Sequence, residues 1–286
     1  MLYLTTRDKT DAFTAAHALQ KQRGKCGGLF VPYQLPMFSP EEIKALSDFS
    51  FGQRMAKLLN RFFNTEITGW DIDFAVGRRP VRLAAMSHKI AVMEAWHNHD
   101  GDFEELDEAL FNHLKYDPEY AVPGEWFRIA VRISALFAVF GDLIRTGVAG
   151  FANPMDIAVA VNDFEAPMAA WYARKMGLPI GTIVCCCNEN SGLWELLRHG
   201  QLQTGAKIIQ TNTPDNDRTV PNGLERLIYE TLGFDETQRF VDVCAGRGLY
   251  SLNPEKLTQL NRGFYCAVVR QQRVDSVIGN VFNTNA

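Results

Sequence analysis

Residues Asp156–Asn190, DIAVAVNDFEAPMAAWYARKMGLPIGTIVCCCNEN, decide how this chain is read. Ile157–Val161 is a short apolar run, and polar Asn162, Asp163 and Glu165 follow it. From Ala166 to Met176 the apolar spacing becomes helical, with Met168, Trp171, Tyr172 and Met176 on or near one face. Gly177 and Pro179 stop that helix, and Ile180–Cys187 is a second strand of the buried type. A strand–helix–strand of this length is a parallel βαβ unit with a right-handed crossover. The turn after the first strand then lies at the carboxyl edge of the sheet, where α/β folds place their ligands. The expected fold class is therefore α/β, built on a parallel-sheet core.

Working outward, 286 residues make one large domain or two smaller ones, enough for a substantial core. A net charge of −4 gives no footprint for nucleic acid, and no apolar run is long enough to span a membrane. Met1–Thr10 shows no signal-peptide pattern. Six cysteines in a chain of this length are no disulfide framework, and Cys185–Cys187 alternate faces along one strand. That usage fits a reducing cytoplasm.

Upstream, Met1–Arg7 reads MLYLTTR, Asp11–Gln22 reads as a helix with Ala15, Ala16 and Leu19 inward, and Gly27–Pro32 reads GGLFVP. Ser39, Pro40, Glu41 and Glu42 form a strong helix start, and a further helix runs from Phe51 to Phe63. Trp126–Phe140 is apolar almost all round, as a buried helix is. Downstream, Ser191–His199 is an amphipathic helix with Leu193, Leu196 and Leu197 inward, ended by Gly200. Thr211–Val220 is a polar loop, Pro221–Leu227 reads PNGLERL, Leu232–Gln238 is a break and Phe240–Cys244 a strand-like run.

Three of these segments, GGLFVP, ARKMGLP at Ala173–Pro179 and PNGLERL, resemble threonine synthase, a pyridoxal-phosphate enzyme of the tryptophan synthase β-like fold. Tyr3, Thr6 and Arg7 also match that family's opening, and Leu252–Ala286 resembles its late helix. The resemblance implies a mostly helical N-terminal domain over residues 1–80 and a reduced α/β core over 81–286.

Where the family handles its cofactor, this chain departs from it. The family's phosphate loop, GNFGN, falls on Asn162, Asp163, Phe164, Glu165 and Ala166, of which only Phe164 is unchanged. Both glycines are gone and two carboxylates stand in their place. Aligned on His97, the Schiff-base lysine falls on Glu104, which has no amine to give. Lys89 and Lys115 lie outside the pattern. The segment from Leu106 to Glu125 replaces most of a small domain, and the family's SGDTG loop is missing with it. In the buried helix, Trp126, Phe127 and Ile129 take positions that the family gives to polar site residues, which suits a filled pocket. Asp217 stands near the place of a family aspartate.

These departures lead to the expectation of a threonine synthase-like pseudoenzyme, without catalytic or cofactor-binding residues, with pyridoxal phosphate implied by resemblance alone. Such a protein would act by binding, as a homo-oligomer or with a paralogous threonine synthase-like chain, in a bacterial-type cytoplasm. Two enzymatic alternatives stand beside it. One is a threonine synthase-like lyase using an unrecognised lysine. The other is a cofactor-independent chemistry using Asp163 and Glu165, with His97 or His99 as acid or base. His97 and His99 would face one side of an extended segment, with Asp100 next to them, as metal ligands can, but no second ligand cluster completes a site. Val241–Gly248, VDVCAGRG, has the outline of an adenosylmethionine loop, against the plain reading of a surface turn.

Overall fold

The computed structural model describes residues 1–76, 82–86, 90–94, 103–114 and 122–285. The chain forms two compact units, Met1–Met155 with Ala169–Ile180, and Asp156–Met168 with Gly181–Ala286.

In the first unit, β1 (Leu2–Thr5) is the middle strand of an antiparallel sheet, between β2 (Asp8–Thr14) and β3 (Phe30–Pro32). The expected helix over Asp11–Gln22 shortens to α1, Ala15–Gln20. Residues 11–14 are strand because Phe13 pairs with Tyr3 across β1 and meets the Phe30 ring edge-on at 5.3 Å. Cross-strand packing of that kind outweighs a weak helical pattern. Two capping boxes start the next helices. The Ser39 hydroxyl accepts from the Glu42 amide ahead of α2 (Pro40–Leu46), and Ser50 accepts from Gln53 ahead of α3 (Phe51–Phe63). Then come α4 (Gly69–Val76), an antiparallel pair β4 (Arg82–Ala85) and β5 (Ala91–Glu94), α5 (Phe103–Leu114) and the long α6 (Glu125–Arg145).

The core of this unit is α6 against α3, with Trp126, Phe127, Ile129 and Ala130 all at 0% exposure. The Trp126 ring lies 5.7 Å from Tyr3, 5.9 Å from Phe62 and 5.2 Å from Tyr172, each edge-on. Tyr3 donates from its hydroxyl to the Phe62 carbonyl at 2.8 Å, which ties β1 to α3. Arg54 is buried beneath α6, donating to the carbonyls of Leu46, Ser47 and Ala138 and pairing with Asp142 at 3.0 Å. A buried guanidinium is tolerable because its donors are spent in this way.

β6 (Met155–Ala160), α7 (Glu165–Lys175) and β7 (Ile180–Cys187) are the βαβ unit read from the sequence. Met155 donates to the Pro179 carbonyl and Val161 to that of Cys186, so the two strands advance together, in parallel. Met168, Tyr172 and Met176 are fully buried, and Gly177, at φ 117°, turns the chain as only glycine does without strain.

The second unit continues with α8 (Gly192–His199), β8 (Gln201–Gln203), α9 (Leu224–Leu232), α10 (Phe234–Ala245), β9 (Leu249–Ser251), α11 (Pro254–Leu260), β10 (Phe264–Val268) and α12 (Gln271–Asn285). Its parallel sheet has the order β10-β7-β6, and β8 pairs with β9. The break expected over 232–238 narrows to Gly233, at φ 84°, and the strand expected at 240–244 is overturned: α10 is helical throughout. Glu236, Thr237 and Phe240 are its buried face, a helical spacing that the apolar letters of VDVC concealed. The adenosylmethionine outline falls with it, since the glycines belong to a turn in which Arg247 adopts φ 52°.

Candidate functional site

Three segments of the second unit meet at the carboxyl edge of the parallel sheet: residues 162–166 after β6, 188–190 after β7, and the loop 209–218. In the first, Phe164 is fully buried at φ 70°, its ring stacked 6.4 Å from Phe264. A left-handed phenylalanine costs energy and is held by its packing. The Asp163 carbonyl accepts from the Gly223 amide at 3.0 Å, and a Cβ on Gly223 would sit only 2.9 Å from that oxygen. The Asp163 carboxylate pairs with Arg218 at 3.0 Å. Glu165 is buried in the first turn of α7. The turn therefore places two acidic residues at a helix N-terminus, which is stabilising for the helix, with the Asp163 charge met by Arg218.

The second and third segments are clasped by a polar network. Asn188 donates from Nδ2 to Asp217 at 2.7 Å and to the hydroxyls of Thr211 and Thr213, both at 3.0 Å. Its Oδ1 accepts from the Asn190 amide at 2.9 Å. Asn190 accepts from the Ile209 amide and donates to the Ile209 carbonyl, both at 2.8 Å, so its side chain continues the loop like an extra peptide unit. Asp217 also accepts from the backbone and hydroxyl of Thr211, at 2.9 and 2.7 Å. Desolvation opposes charge on Asp217. The bonds from Thr211, Asn188 and Asn190 outweigh it and hold the carboxyl below its ordinary range. The amides and carboxylate are spent on one another. The cluster works as a staple from β7 to the loop.

The structure thus brings Asp217 to Asn188 and Asn190, two residues of the CCCNEN strand end. It also adds Arg218, Thr211 and Thr213, which nothing in their local sequence marks. His97, His99, Asp100, Lys89 and Lys115 lie outside the described residues. Glu104 falls within α5, and its side chain is likewise outside them. Among the described residues no group of three or more His, Cys, Asp or Glu could hold a metal ion. No helix of the described residues is long and apolar enough to cross a membrane.

Residues 2–78 match the family model for the threonine synthase N terminus. Human threonine synthase-like 1 is 29% identical over 105 residues, and threonine synthase of Corynebacterium glutamicum 33% over 86. The alignments take in 36% and 29% of this chain, and the chain covers only 14% and 18% of those proteins. The fold is shared far more widely. A pyridoxal-phosphate-bound threonine synthase from Brucella melitensis superposes over 94% of this chain and 78% of its own, with a TM-score of 0.79 at 18% identity. Yeast threonine synthase gives 0.78 at 15% identity, over 95% of this chain and 77% of its own.

Residues 2–78 are threonine synthase-like in sequence, and the chain as a whole is so in fold. Its α/β architecture with a parallel sheet is that of the threonine synthases. The segments that carry the likeness are framework. In the threonine synthase-like chain Leu29, Phe30 and Val31 of β3 are buried, as are Ala173, Met176 and Leu178 at the end of α7, and Leu224 and Leu227 at the start of α9.

Proposed function

We propose that this threonine synthase-like chain does not perform pyridoxal-phosphate chemistry and acts by binding another protein or ligand. One observation carries the reading. The turn that would cradle the cofactor's phosphate holds the Asp163–Arg218 ion pair and buried Glu165. A phosphate at a helix N-terminus needs exposed N–H groups and close backbone approach. Here both glycine positions carry side chains, and the turn is occupied by the Asp163–Arg218 pair and buried Glu165. The residues present do not fit the group. The staple of Asn188, Asn190 and Asp217 supports the same reading, because its donors are already committed within the protein.

The test is an absorbance titration with pyridoxal phosphate, followed by borohydride reduction and mass spectrometry of the whole chain. The expected result is no saturable aldimine band and no stoichiometric adduct. A saturable band with one modified lysine overturns the proposal and locates an active site.

A further inference from the structure

Three thiols meet on one face of the parallel sheet of the second unit. Cys185 and Cys187 lie two apart on β7, and Cys266 on β10 stands opposite Cys185 in the register. Side chains alternate along a strand, so these three share a face and Cys186 takes the other. The Cys266 sulfur leans along the ladder to Cys187, and the two Sγ atoms are 3.4 Å apart. Both residues are nearly buried, at 4% and 7% exposure, and both are free thiols.

The two sulfurs are not equivalent. Cys187 accepts a hydrogen bond from the Cys266 thiol and another from the backbone N–H of Trp194, in the first turn of α8. Together these bonds favour the thiolate, and against the opposing effect of burial they hold Cys187 below the ordinary thiol range. Cys266, which keeps its proton in the bond to Cys187 and is itself desolvated, is held above that range. Burial pushes Cys185 up as well. One sulfur is thus set up as a nucleophile with a second thiol beside it, the arrangement of a redox-active pair. A cavity of about 370 Å³ between α8 and β10 leads to them. Cys266 is part of its wall, and so is Trp194, whose backbone holds Cys187. Such a space is many times the volume of one water molecule, about 30 Å³, so a small polar oxidant fits within it.

We infer that Cys187 and Cys266 are a site of reversible oxidation, which a peroxide entering through this cavity closes to a disulfide between β7 and β10. The Cys187 thiolate attacks one peroxide oxygen. An S–O bond forms, the O–O bond breaks, and the hydroxide that leaves takes up the proton Cys187 had given to solvent. The sulfur loses two electrons to the peroxide and becomes a sulfenic acid. The Cys266 sulfur then attacks the Cys187 sulfur, the S–O bond breaks, and the departing hydroxide takes the Cys266 proton. Two thiols and one peroxide become one disulfide and two waters. A dithiol reverses the change by exchange. The pair is diagonal in the ladder, so a bond across it draws the end of β7 toward β10. Cys187 is the last residue of β7, and Asn188 of the staple follows it, so the bridge also pulls on the loop 209–218. The inference does not rest on the binding role proposed above.

The experiment treats the reduced whole chain with hydrogen peroxide, blocks the remaining thiols with iodoacetamide, and reads the whole-chain mass and the peptide map of an unreduced digest. Alkylated cysteines are expected to fall from six to four, with one cross-linked peptide joining Cys187 to Cys266, and a dithiol restores all six. Cys187→Ser is expected to slow the oxidation at least about tenfold. Cys266→Ser is expected to stop at a sulfenic acid that dimedone traps on Cys187. Cys26→Ser, at an exposed cysteine, changes neither the rate nor the product. Far-UV circular dichroism checks the fold of each variant, and where a serine variant misfolds the cross-link map of the unaltered chain decides alone. Six thiols surviving an excess of peroxide overturn the inference. So does a bridge formed between other cysteines, or a rate indifferent to Cys187→Ser.

Discussion

Replacing Trp126 with asparagine tests whether the position that the sequence likeness assigns to a polar site residue is a filled core or an openable pocket. In the structure Trp126 has no exposed surface and is boxed by Tyr3, Phe62 and Tyr172. Truncating a fully buried tryptophan to alanine costs about 3–5 kcal/mol in transfer and cavity terms together. Asparagine adds an amide with no partner, worth about another 1–3 kcal/mol. With a urea slope of about 3 kcal/mol per molar for a chain of this size, Trp126→Ala should lower the midpoint by about 1–1.7 M, and Trp126→Asn by more. The assay is urea unfolding at neutral pH by far-UV circular dichroism. An asparagine variant unfolding within about 0.3 M of the parent, under about 1 kcal/mol on the same slope, would mean that water enters and satisfies the amide. The closed core would then be refuted.

Glu236 gives a pH prediction. Burial works against its charge, but bonds from Arg239, Lys256 and Tyr250 prevail and hold its carboxyl below the ordinary range. A depressed folded-state value means stability that is present above the ordinary carboxylate pKa and lost as pH falls through the depressed one. Glu236→Gln should therefore flatten the acid limb of a stability–pH curve, and an unchanged limb would assign the acid sensitivity elsewhere. Ser39→Ala and Ser50→Ala each remove one side of a capping box and should each cost about 1 kcal/mol in urea unfolding; a loss near zero would mean that the helix starts are held by packing alone.

The βαβ unit was legible because its signals were local and agreed with one another. Period and breakers pointed the same way from Ile157 to Cys187, and Gly177 sits where its positive φ is needed. The helix start at Ser39–Glu42 was legible for the same reason, and so was the helix Phe51–Phe63, whereas its Ser50–Gln53 capping box is seen only in the structure. The misreadings fell where distant partners decide. Phe13 is in a strand because Tyr3 and Phe30 lie beside it, and Phe240 is in a helix because Tyr250, 5.1 Å from its ring, covers that face. Arg218 was silent for a further reason: its neighbours in sequence say nothing about Asp163, which lies 55 positions earlier along the chain (218 − 163).

The division between what matches and what does not follows the division between interior and edge. Leu29, Phe30, Leu178, Leu224 and Leu227 are each removed from water, and each burial is worth about 1.5–3 kcal/mol for a side chain of this kind, whatever the protein does. Such residues report folding. Asn162 is exposed and Asp163 half-exposed, and a side chain there contributes little to a core. Its identity is free to follow the chemistry of whatever meets the sheet edge. At that edge an anion would have to displace Arg218 from Asp163 and approach buried Glu165, while an arriving amine or guanidinium would find a carboxylate already shown to hold one cation. Fold and site thus argue in different directions in the same molecule: the fold is shared with the threonine synthases, while the turn at the mouth of the sheet holds an ion pair and a buried acid instead of a glycine cradle.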